Sequence, residues 1–113
     1  MKFKIDLKEF DNFIFDNNLF DVTKKNLIKY LKNYWYDDEI GFIDDMYSNL
    51  ETVLKKYNFL NDGYSFNKSY SYNPPLDYIS VWIYIYDENN SYVCMYKAFY
   101  DYNLELIDDK LST

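Results

Sequence analysis

The chain contains no histidine and no arginine, and among its 113 residues there are one cysteine, two glycines and two prolines. Losing imidazole removes the side chain that transfers protons most readily near neutral pH. Losing guanidinium removes the rigid fork that grips phosphate and carboxylate. A His-activated serine or thiol and a zinc site built from His and Cys ligands are therefore not expected. Gly41 and Gly63 stand too far apart to form a phosphate-cradling loop. Cys94 has no partner for an internal disulfide, which points away from an oxidising compartment, and burial is the common fate of a free thiol. No apolar run approaches the roughly 18 residues that span a bilayer. Lysines and acids interrupt the segment Met1–Asp6, where a signal peptide needs an apolar core. A soluble, cytoplasmic protein is the expectation.

What the chain does have is aromatic and acidic. Fifteen tyrosines, nine phenylalanines and two tryptophans make up 23% of it, and 19 acids against 12 lysines give a formal charge of −7. A length of 113 residues is one domain, with apolar material enough for a core. The charge repels nucleic acid at long range and favours a basic partner. Stacking platforms for nucleic acid interleave aromatics with basic residues, yet the stretch from Phe59 to Thr113 has three lysines (Lys68, Lys97, Lys110) against eight acids. Direct nucleic-acid binding is not expected.

The pattern changes near residue 60. In residues 1–57 apolar positions recur at helical spacing. Asp6 followed by Glu9 suggests a reciprocal cap for a first helix carrying Leu7, Phe10, Phe13 and Ile14, which ends near Asn17-Asn18. Thr23 suggests the N-cap of a second helix, with Leu27, Ile28, Leu31 and Trp35 on one side and Lys25, Lys29 and Lys32 on the other. Asp37-Asp38 suit the positive end of a third helix running to Tyr57, its apolar face drawn from Ile43, Met46, Tyr47, Leu50, Val53 and Leu54. Gly41 weakens its first turn, which suggests a start at Phe42 or later.

Residues 64–107 alternate with period two. Pro74-Pro75 interrupts, Tyr78–Tyr86 is the clearest strand, Asp87–Ser91 is a hairpin loop, and Tyr92–Tyr100 returns. A turn at Asp101-Tyr102-Asn103 leads into a final strand from Leu104 to Ile107. The expected fold class is α+β, with three helices on one face of an antiparallel meander of three or four strands. In the central strand Ile79, Val81, Ile83 and Ile85 share one face and Tyr78, Trp82, Tyr84 and Tyr86 the other. A five-residue loop sets Tyr86 opposite Tyr92 and Trp82 opposite Tyr96, an aromatic ladder that places Lys97 among aliphatics. A four-residue loop moves every partner to the other face. The ladder is the preferred register.

Few constellations carry chemistry. Calcium loops need alternating acids around a glycine, whereas here Asp37-Asp38 and Asp44-Asp45 come in adjacent pairs; no metal or cofactor is expected. Asp6-Leu7-Lys8 and Asp108-Asp109-Lys110 match the Asp-x-Lys spacing of many metal-dependent nucleases, but a short motif carries little without its context. The latter falls in an expected frayed terminus. Carboxylate-only catalysis is the one enzyme class the composition permits, and no cleft elements accompany it. From Asn33 to Leu54 six acids stand with no lysine. Tyrosine beside Ser, Asn and Asp is the palette of protein contact surfaces.

In size, acidity and helices-then-meander layout the chain resembles bacterial toxin-immunity proteins. The run Tyr96-Lys97-Ala98-Phe99-Tyr100-Asp101-Tyr102-Asn103-Leu104-Glu105-Leu106-Ile107-Asp108-Asp109 is similar to their terminal strands. Phage anti-defence inhibitors such as anti-CRISPR proteins are equally similar in composition. The resemblance implies a non-enzymatic inhibitor of a basic, nucleic-acid-acting partner (a toxin or a defence nuclease), with a nucleic-acid-mimicking surface in the anti-defence case. Asp37, Asp38, Glu39, Asp44 and Asp45 would steer the encounter, and Trp35, Tyr36, Trp82, Tyr84 and Tyr86 would anchor it. A carbohydrate- or ligand-binding module is the alternative of a different class.

Overall fold

In a computed structural model, which describes residues 7–113, Ile79, Val81, Ile83 and Ile85 are all fully buried. Four helices cover them: α1 (Lys8–Asp16), α2 (Leu19–Asp37), α3 (Glu39–Met46) and α4 (Leu50–Lys56). Four strands follow, β1 (Asn58–Ser69), β2 (Leu76–Tyr86), β3 (Tyr92–Tyr100) and β4 (Leu106–Ser112), in one antiparallel sheet of order β1-β2-β3-β4. The fold class is the expected α+β. The core joins Ile14, Leu19, Leu27, Leu31, Phe42, Met46 and Val53 of the helices to the β2 aliphatics and to Tyr96, Ala98 and Tyr100 of β3. Truncating a residue at this seam, such as Ile83→Ala, removes buried methyl groups at a cost of about 2–5 kcal/mol.

The helix boundaries differ from expectation at three places. Asp6 of the proposed first cap lies outside the described residues. Thr23 is not a cap, because α2 begins at Leu19 after Asn18 turns the chain at φ 52°. Asparagine tolerates that left-handed conformation better than most residues. Thr23 is instead buried inside α2, donating to the Leu19 carbonyl at 2.6 Å and sharing a 2.8 Å hydrogen bond with the Tyr100 hydroxyl. The expected third helix is in two pieces. Tyr47, at φ 65°, closes α3, and the Asn49 carboxamide accepts from Thr52 N–H at 2.9 Å to cap α4. An asparagine side chain offers the backbone an alternative to continuing the helix, and that break turns Ile43 and Tyr47, expected in the core, out to solvent.

Gly41 does not delay α3. Asp38 caps the helix by accepting from Gly41 N–H at 2.9 Å, and a Cβ on Gly41 would run into that same carboxylate. Glycine here makes room for the cap.

Three bulges set the sheet register. Tyr86 faces Tyr92 as the five-residue loop requires, but Val93 is then an extra residue, so Ile85 pairs with Cys94, Ile83 with Tyr96 and Trp82 with Lys97. The uniform ladder is therefore corrected after its first rung. The bulge resolves the conflict between the two registers by keeping Tyr96 and Ala98 on the aliphatic face and sending Lys97 to the other. Asp62 is the extra residue between β1 and β2, and Ile107 between β3 and β4. β4 also runs past its expected limit of Ile107, and it holds Asp108-Asp109-Lys110 in an ordered ladder rather than a frayed end. Its inward Asp109 accepts from the Tyr96 hydroxyl at 2.6 Å, which is what makes a carboxylate tolerable against the core edge.

Burial, and for Tyr96 also the bond to Asp109, raises the Tyr96 and Tyr100 hydroxyls above the ordinary value of 10.0. A group whose folded-state value is raised stabilises the fold fully below its unfolded value and loses that contribution as pH rises through the folded one. Unfolding free energy measured in urea should therefore fall as pH climbs above about 10. A Tyr96→Phe/Tyr100→Phe chain should show a shallower fall; equal slopes would contradict this assignment.

Candidate functional site

The structure divides the expected site residues between two layers. Trp35, Tyr36, Asp37, Asp38, Glu39, Asp44 and Asp45 lie where α2 hands over to α3. Trp82, Tyr84 and Tyr86 lie on the sheet face turned away from the helices, since they alternate with the buried Val81, Ile83 and Ile85. No single flat partner meets both sets.

At the α2–α3 corner, inward contacts hold the geometry. Trp35 and Tyr34 pack edge-on against Phe42, with ring centroids 5.2 and 5.5 Å apart. The Tyr34 hydroxyl donates to Asp45 at 2.6 Å, tying α3 back onto α2, and this bond raises the hydroxyl's pKa, so Tyr34 stays a donor far past neutral pH. Asp38 is occupied as the cap. Asp37, Glu39 and Asp44 make no hydrogen bond or ion pair among the described residues and stay solvated.

The outward side of the same corner is apolar. Tyr36 is 89% exposed, Ile40 78%, Tyr47 71% and Ile43 45%. Ile40, Ile43 and Tyr47 follow helical spacing along α3, opposite the buried Phe42 and Met46. Scattered exposed apolar residues need no explanation, but a cluster with a charged rim marks a contact surface. Between α2 and α4, Trp35, Asn49, Leu50, Glu51 and Leu54 line an open groove of about 520 Å³. Sequence periodicity placed Ile43 and Tyr47 on the inward face and left Ile40 unassigned, because it treated the third helix as continuous. The signal that could have found the break is Ser48-Asn49, a helix-start pair inside an apolar run.

The open sheet face is aromatic across its width. Tyr92 of β3 makes edge contacts with Tyr84 and Tyr86 at 5.7 and 5.9 Å, and Tyr78 lies 6.1 Å from Phe99. Trp82 donates its indole N–H to Asp62 at 2.6 Å, and Lys97 Nζ sits 5.2 Å over its ring.

Catalytic groups do not gather in either place. Cys94 is buried against the Met46 sulfur at 3.7 Å, and burial pushes its thiol up to about 12. Among the described residues no three Asp, Glu or Cys side chains stand close enough to hold a metal ion, and no helix is long and apolar enough to cross a membrane.

Two outcomes follow. Native Cys94 should be inert to a thiol reagent at neutral pH and react fully once the chain is unfolded; rapid labelling of the native chain would contradict its placement. Gly63 has no unusual φ, but a Cβ there would come within 2.5 Å of the Trp82 ring. Gly63→Ala should displace the indole from Asp62, destabilise the fold by about 1–3 kcal/mol and shift tryptophan emission. Unchanged emission would show that the contact is not made.

No protein-family model, curated protein or solved structure matches this chain significantly.

Proposed function

We propose that the chain is a non-enzymatic inhibitor, acting in the cytoplasm, that occupies the basic surface of a nucleic-acid-acting enzyme as toxin-immunity and anti-defence proteins do. The observation that supports this is the apolar stripe of Ile40, Ile43 and Tyr47 exposed among the uncommitted carboxylates of Asp37, Glu39 and Asp44. Apolar residues supply the desolvated centre of a contact and charges supply its rim. A partner with lysines and arginines around an apolar depression complements both. The net charge of −7 pulls such a partner in from a distance.

Inhibition on this reading is steric. The carboxylates occupy positions that phosphates would take in the partner's channel, and the stripe holds them there. Carboxylates already engaged inside the fold, Asp38 and Asp45, position α3 and contribute less to the contact.

The test uses the basic enzyme recovered with the chain from its host, or the one encoded beside it. Asp37→Asn, Glu39→Gln and Asp44→Asn combined should slow association by roughly 10-fold or more at low salt and much less at high salt. Ile40→Ser with Ile43→Ser should raise the dissociation rate by about 10-fold while leaving thermal unfolding nearly unchanged, because both side chains are exposed. Association and dissociation both unaffected would remove the corner from the contact.

A further inference from the structure

The open sheet face carries a conflict that the helical layer does not. Lys97 and Lys110 stand directly opposite one another on β3 and β4, and like charges in that position repel. Both ammonium groups lie over one ring, Lys97 Nζ 5.6 Å and Lys110 Nζ 5.9 Å from the Phe99 centroid. Among the described residues neither has a carboxylate within ion-pair distance, as is also true of Lys24, Lys25, Lys29 and Lys32. In a chain with seven more acids than lysines, two facing ammoniums concentrate positive charge, and an anion between them would relieve their repulsion.

A ring-sized cleft adjoins the pair. Two residues along the strands from the lysine row, a step of about 6.6 Å, Phe99 faces Asp108 on one side and Ser80 on the other. Ser80 in turn faces Ser65, so the sheet floor is low there. On the Tyr78 side of Phe99, away from the lysine row, a cleft of about 250 Å³ opens, lined by Ser69, Tyr72, Leu76, Tyr78, Phe99 and Asp108. Tyr78 and Phe99 present tilted rings at 52°, and Asp108 adds an acceptor on the wall.

We propose that this face binds a mononucleotide, with the base against Tyr78 and Phe99, a base N–H donated to Asp108, and the phosphate between Lys97 and Lys110. A cationic ligand would be repelled by the two ammoniums. A neutral sugar would leave the lysine pair uncompensated. A nucleic-acid strand brings many phosphates towards a chain of charge −7, while two lysines suit one phosphate group. The site is independent of the α2–α3 corner, and its failure leaves the inhibitor reading standing.

Titration of Trp82 emission in a Trp35→Phe background, with AMP, GMP, CMP and UMP as probes, tests it. At least one should bind saturably, with its nucleoside weaker by about 10-fold or more, a difference of roughly 1.4 kcal/mol. Lys97→Met and Lys110→Met should each weaken binding several-fold without lowering the melting temperature, and Tyr78→Leu should do so with inorganic phosphate affinity unchanged. The proposal is overturned if no nucleotide saturates by a concentration on the order of 10 mM, or if the lysine variants bind as well. Equal affinity for phosphate alone (an anion spot without a ring site) would also overturn it, as would tighter binding of a single-stranded oligonucleotide.

Discussion

The alternation of β2 is the constraint from which the rest follows. Ile79, Val81, Ile83 and Ile85 can be buried only on one face, and apolar residues of the four helices cover that face. The opposite face, with Tyr78, Trp82, Tyr84 and Tyr86, is left open by the same stroke. Its content is then decided by the bulge at Val93. Had the register set by Tyr86 and Tyr92 continued, Lys97 would face Val81 in the core and Tyr96 would face Trp82 outside. One extra residue reverses this, burying Tyr96 with its bond to Asp109 and leaving Lys97 on the surface.

The two surfaces differ in what they offer. At the α2–α3 corner a short helix is apolar on both sides: Phe42 and Met46 hold it to the core, and Ile40 and Ile43 point away. Carboxylates surround the outward set. On the open sheet face the rings meet edge-on or tilted, and Lys97 and Lys110 crowd Phe99. A rigid sheet between them keeps the two surfaces from sharing an occupant, so a protein contact on the helices leaves the aromatic face accessible.

Much of this was legible in the sequence. The change of period near residue 60, the hairpin loop Asp87–Ser91, the interruption at Pro74-Pro75 and the two faces of β2 all follow from local pattern. The acidic block and its neighbouring aromatics were legible as well. Three things were not, each for a tertiary reason. Thr23 looked like a cap because a threonine stood before an apolar stripe, but its hydroxyl is satisfied by Leu19 and by Tyr100, 77 residues away. β4 was cut short because Asp109 breaks the apolar alternation, and its compensation by Tyr96 is a cross-strand contact no local pattern reveals. Ile43 and Tyr47 were assigned inward by helical periodicity and Ile40 not assigned at all, whereas α3 ends at Tyr47 and turns Phe42 and Met46 to the core instead.

The most direct measurement is amide hydrogen exchange of the chain alone and in complex with the basic enzyme proposed as its partner. The account predicts new protection across residues 36–47, where the stripe and the free carboxylates meet, with the strand amides of β2 and β3 unchanged. Protection confined to the strands, with α3 exchanging as fast in the complex as alone, would contradict it.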